Sequence, residues 1–80
     1  MRIRTLLFAT YREMAGTGEL ELELPEGATA GDLVTHLREV RGLGALPSEP
    51  ALAVNQVYAP LTTDLSEGDE VALLPPVAGG

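Results

Sequence analysis

Eighty residues make one domain and leave no room for a second. Hydrophobic residues are 45% of the chain, enough for a core and too many for a disordered tail. Five basic residues against twelve acidic ones give a net charge of −7, which argues against binding nucleic acids or anionic membranes, where basic patches are needed.

Residues 2–9 read as a strand. Ile3, Thr5 and Leu7 share one face; Arg2, Arg4, Leu6 and Phe8 share the other. Residues 10–15 suit a short helix capped by Thr10, with Glu13 at capping-box spacing and Gly16 and Gly18 as its stop. Residues 19–24 alternate, with Glu19, Glu21 and Glu23 set against Leu20, Leu22 and Leu24. That is a strand with one wet face. After the Pro25-Glu26-Gly27 turn, Thr29 reads as an N-cap and Asp32 as the acidic group of the first turn. Leu33, Val34, Leu37 and Val40 then predict the main helix over 30–41, with Arg38 and Arg41 near its end and Gly42 closing it.

Residues 42–50 carry two glycines and two prolines and read as loop. Residues 51–54 predict a short strand, Asn55-Gln56 a tight turn, and Val57-Tyr58 its return. Residues 60–68 read as irregular, with Leu65 as a buried anchor. Residues 70–74 are the last strand, which Pro75-Pro76 stops because neither proline can donate to a ladder. The order predicts an α+β fold: a mixed sheet of four or five strands, one main helix on one face and a short extra helix, a β-grasp arrangement. The domain is expected over 1–76, with 77–80 as a flexible tail.

Catalytic side chains are nearly absent. The chain has no cysteine, so disulfides, thiolate metal sites and cysteine nucleophiles are excluded. His36, the only histidine, lies beside the Leu33–Leu37 stripe without a second ligand at metal spacing and reads as a helix-surface residue. The Glu19, Glu21, Glu23 series reads as the solvated side of a strand, a docking face being the alternative. Asp64, Glu67, Asp69 and Glu70 do not match an EF-hand loop, and no metal is expected. There is no P-loop and no nucleophile elbow. No apolar run approaches the ~20 residues of a membrane span, and no signal-peptide pattern opens the chain; a cytoplasmic location is expected.

What remains is the end of the chain. Nine glycines in 80 residues would place two at the terminus by chance only about 1% of the time, so the Gly79-Gly80 pair is treated as signal. A strand ends, two prolines hold the exit extended, and Val77, Ala78, Gly79 and Gly80 follow. Glycine lacks Cβ, so such a tip enters a channel too narrow for other residues. Its reactive group is the Gly80 carboxylate, a poor electrophile until adenylation by ATP makes it a mixed anhydride. Attack by a sulfide equivalent then gives a thiocarboxylate; attack by an amine gives a conjugate. Both need a second protein, because this chain has no ATP site and is expected to bind no cofactor.

The partner surface follows from strand parity. Val71 and Leu73 should face the helix, which turns Leu74 outward, and Phe8 lies on the same non-core face. With Tyr58, Pro75 and Pro76 these residues form the expected partner-binding patch. Glu67 and Glu70 are expected near the tail exit.

Four blocks carry a resemblance. Leu7-Phe8-Ala9-Thr10-Tyr11-Arg12-Glu13, Val54-Asn55-Gln56, Leu65-Ser66-Glu67-Gly68-Asp69-Glu70-Val71-Ala72 and Pro75-Pro76-Val77-Ala78-Gly79-Gly80 together resemble the small subunits of molybdopterin synthase. That family is a ubiquitin-like β-grasp sulfur carrier. The resemblance implies that an E1-like activating enzyme adenylates Gly80 with ATP and that the glycine becomes a thiocarboxylate. The tail then enters the large synthase subunit of a heterotetramer and gives sulfur to cyclic pyranopterin monophosphate. It implies a sulfur-donor subunit whose catalytic side chains lie on the large subunit. The alternatives are carriers for tRNA thiolation or thiamine thiazole synthesis, and a non-catalytic β-grasp interaction module. The thiazole carriers usually join their first two strands by a tight turn, whereas residues 10–18 form an insertion here.

Overall fold

Leu20 and Leu22 of β2 (Glu19–Glu23) face the same side of the sheet as Thr5 and Ile3 of β1 (Arg2–Leu7), because the antiparallel register sets Ile3 opposite Leu22 and Thr5 opposite Leu20. One face of the ribbon is therefore apolar and the other charged. In the computed structural model, which describes residues 1–76, this ribbon is one side of a five-stranded mixed sheet. The strand order is β2-β1-β5-β3-β4, with β3 at Ala51–Val54, β4 at Val57–Tyr58 and β5 at Glu70–Leu74. β1 and β5 are parallel, and every other neighbouring pair is antiparallel. Helix α1 (Ala9–Ala15) follows β1, and α2 (Ala30–Leu37) covers one sheet face. This is the expected β-grasp arrangement.

The core lies between α2 and that face. Leu33, Val34 and Leu37 are buried with Ile3, Leu7, Leu52, Val71 and Leu73. Removing such side chains from water stabilises the fold by roughly 1.5–3 kcal/mol each. α2 starts at a complete capping box: Asp32 N–H donates to the Thr29 hydroxyl at 3.2 Å, and Thr29 N–H donates to the Asp32 carboxylate at 2.9 Å. Leu65 is buried as expected.

Two boundaries differ from the sequence reading. β1 ends at Leu7, and the N-cap of α1 is Phe8 in place of Thr10, with no side-chain cap bond. The Phe8 carbonyl accepts from the N–H groups of Tyr11 and Arg12, and Ala9 takes φ 46°. Burial of Tyr11, only 4% exposed, sets this start and overrides the polar cap. α2 ends at Leu37, short of residue 41, because the chain tightens: the Glu39 and Val40 N–H groups bond the carbonyls three residues back. Residues 42–50 form the expected loop, and it contributes to the core: Leu43 and Leu46 are buried and continue the same three-residue bonding.

Candidate functional site

The face that α2 leaves open is divided along its length. At one end Arg2 approaches Glu23 at 3.4 Å and Glu21 at 3.7 Å. Beside it Arg4 Nε donates to Glu19 at 2.8 Å, and Arg4 Nη1 meets Glu70 at 3.4 Å. The hydrogen bond that Arg4 donates to Glu19, and then the Glu19 charge, hold the Arg4 guanidinium above its ordinary pKa. The acidic series on β2 is thus tied into cross-strand ion pairs on a solvated face.

The other end is apolar. Register places Leu6, Ala72, Ala53 and Tyr58 in one row across four strands. The two central alanines make a shallow trough between larger side chains. Leu74 and Ala51 form the next row, and Phe8, in extended backbone one residue past Leu7, lies beside Leu74. Phe8 is 45% exposed and Tyr58 80% exposed, whereas Val71 and Leu73 are wholly buried, as their parity requires.

Beside this patch a groove of about 410 Å³ runs along the end of β5. Tyr58, Leu74, Pro75 and Pro76 line one part of it, and Tyr11, Pro47, Glu49, Pro50 and Ala51 complete it. Four of the five residues expected to meet a partner therefore converge. Phe8 does not line the groove and sits across the sheet from Tyr58, about 14 Å away at three strand spacings. The tail residues Val77, Ala78, Gly79 and Gly80 lie outside the described residues.

Glu67 and Glu70 were expected beside the tail exit and are not there. Glu70 opens β5 and Leu74 closes it, a span of about 13 Å, and Glu67 accepts the Arg2 N–H at the charged end. Glu49 is the acidic residue that lines the groove. Sequence reasoning missed it together with Tyr11, Pro47 and Pro50. His36 is exposed, and among the described residues no group of three or more histidines and carboxylates gathers to hold a metal. No helix among them is long and apolar enough to cross a membrane.

Comparison with known proteins adds a second line. The ThiS family pattern matches residues 5–80. The chain is 36% identical along its whole length to the molybdopterin synthase sulfur carrier subunit of Drosophila melanogaster, spanning 92% of that protein. Its fold is similar to SAMP1 of Haloferax volcanii, with a TM-score of 0.86 and 29% identity over the full length of both chains. It is also similar to a chain in the complex of subunits 1 and 2 of the molybdopterin-converting factor from Helicobacter pylori, with a TM-score of 0.72 and 27% identity over both full lengths.

Proposed function

The chain belongs to the ThiS family, and on that premise we propose that it is the sulfur carrier of molybdopterin synthesis. One observation carries the reading beyond family membership. β5 runs straight into Pro75-Pro76 at the apolar end of the open face, so the last described residues lie beside the exposed aromatic patch. A carrier needs that arrangement, because the partner that grips the patch then receives the terminus.

In the proposed cycle an E1-like activating enzyme uses ATP to adenylate the Gly80 carboxylate, and pyrophosphate leaves. A sulfur nucleophile displaces AMP and leaves a thiocarboxylate. The patch docks on a large subunit, as two small and two large chains in the assembly, in the cytoplasm. There the thiocarboxylate gives its sulfur to cyclic pyranopterin monophosphate. The Helicobacter pylori neighbour is a complex of subunits 1 and 2, which supports the large-subunit partner. This chain has neither cysteine nor lysine, so its part is to present Gly80. Val77, Ala78 and Gly79 carry that group into the partner.

The test mixes thiocarboxylated chain, purified large subunit and cyclic pyranopterin monophosphate. Molybdopterin should form with the full chain and not with a chain lacking Gly80. The likeness to Haloferax volcanii SAMP1, a small archaeal modifier protein, favours a second reading in which an amine attacks the same adenylate. Conjugates to other proteins, with no molybdopterin formed, would decide for that reading.

A further inference from the structure

Tyr11 combines two properties that a purely structural residue does not need. The residue is 96% buried, yet it lines the groove beside Pro75 and Pro76, and its hydroxyl makes no hydrogen bond to any described residue. A phenol that buries its ring normally finds a partner for its O–H. Among the described residues this one finds none, and the residue that carries it lines the groove.

The rest of the wall defines what that donor meets. Tyr58 supplies a second, largely exposed ring, and four prolines supply flat apolar surface without a single N–H. β4 is only two residues long, too short to template an added strand. A polyproline II segment suits such a wall. It has no internal hydrogen bonds, its carbonyls point outward, and its ring faces pack on aromatics at low entropic cost. One phenol donor then satisfies one carbonyl. Glu49 is the only charged residue of the lining, on a chain of net charge −7, so a cation beside the prolines is favoured.

We infer that this groove docks an extended, proline-bearing segment of a partner protein, with an arginine or lysine next to the prolines. Tyr58, Leu74, Pro75 and Pro76 belong both to the groove and to the margin of the apolar patch. The segment therefore comes from the partner that covers the patch; its assignment to the large subunit rests on the function proposed above. Because Pro75 and Pro76 form one wall, a bound segment also fixes the backbone of those two residues.

The experiment titrates the isotope-labelled full chain with the blocked peptide acetyl-Ala-Pro-Pro-Leu-Pro-Arg-amide and follows backbone amide shifts. Two control peptides replace the prolines by alanine or the arginine by glutamate. Saturable shifts at Tyr11, Glu49, Tyr58 and Leu74 are expected, with weaker binding of both controls. Tyr11→Phe keeps the ring and should weaken binding about fivefold, the loss of one hydrogen bond. Glu49→Gln should weaken the arginine peptide by about two- to fivefold and leave the glutamate control no weaker. Equal binding of the three peptides, shifts confined to Leu6 and Phe8, or no saturable shift would overturn the inference. So would truncation after Pro76 and Tyr11→Phe producing the same shifts in the free protein, since the chain's own last residues would then fill the groove. Thiocarboxylation is scored separately by mass. Peptide binding without it removes the carrier reading alone, and thiocarboxylation without peptide binding removes the groove alone.

Discussion

The side-chain amide of Asn55 donates to the carboxylate of Asp69 at 3.0 Å, joining the β3–β4 turn to the turn that feeds β5. Asn55 Oδ1 accepts the Glu70 N–H at 3.0 Å, and the other Asp69 oxygen accepts the Ser66 N–H at 2.7 Å. Asn55 and Gln56 take φ of 50° and 72°, the doubly positive pattern of a type I′ hairpin turn. The tie thus positions the short strand that presents Tyr58. Asn55→Gly keeps the turn geometry and loses the bonds, and should cost about 1–2 kcal/mol. Asn55→Ala loses both and should cost about 1 kcal/mol more. Urea unfolding measures the difference; a glycine variant as stable as the parent would show that the bonds contribute nothing.

Gly42 is required by contact as well as by conformation. Its φ is 91°, and a Cβ there would collide with the Met14 carbonyl at the end of α1. Gly27, with φ 86° and open space around it, is the control. Gly27→Ala should cost about 1–2 kcal/mol from backbone conformation alone. Gly42→Ala should cost about 1–3 kcal/mol beyond that, because a packed backbone must move. Equal denaturation midpoints for the two variants would remove the α1 contact from the account.

The exposed aromatics should matter for association more than for folding. Phe8→Ala and Tyr58→Ala are each expected to weaken large-subunit binding by about 1–3 kcal/mol and to shift the melting point little. Leu7→Ala, one residue from Phe8 and fully in the core, should instead cost about 2–5 kcal/mol of stability. Calorimetric titration and melting of the three variants separate the roles. A Phe8 variant with unchanged affinity would take Phe8 out of the patch.

Charge should act through the carboxylates that no arginine holds. Glu19 and Glu70 are bound to Arg4, whose raised pKa means the pairing is complete below its ordinary value and lost only on the far alkaline side. Glu49 has no ion-pair partner among the described residues and stands at the groove. The association rate with the large subunit should fall as salt rises, since exposed charges are screened beyond about 8 Å at physiological strength. Glu49→Gln should flatten that dependence more than Glu70→Gln. Stopped-flow binding across a salt series gives both slopes, and a rate indifferent to salt would leave the acidity a solubility role alone.

Period-two and helical patterns made most of the fold legible. The Glu–Leu alternation of β2, the Leu33–Leu37 stripe and the Asn55-Gln56 turn each map onto an observed element. Parity along β5 placed Leu74 correctly on the open face. The losses have physical causes. Leu37, Val40, Leu43 and Leu46 recur every third residue, the period of the tighter turns they form, and the surrounding glycines and prolines masked that period. Tyr11 stood in a polar stretch, so nothing local announced that α1 would bury its ring. Glu67 and Glu70 were assigned to the tail exit by closeness in sequence, but a strand carries its two ends apart. The groove needed the 47–51 segment brought beside Pro75-Pro76, and no sequence period encodes that approach.

Whether Gly80 carries sulfur is read from the intact mass of the chain purified after co-expression with an E1-like activating enzyme. A gain equal to the exchange of one oxygen for sulfur is expected, lost when Gly80 is deleted or a residue is appended after it, with folding unchanged by circular dichroism. An unmodified mass in the full chain, or the same gain in the deletion variant, would contradict it.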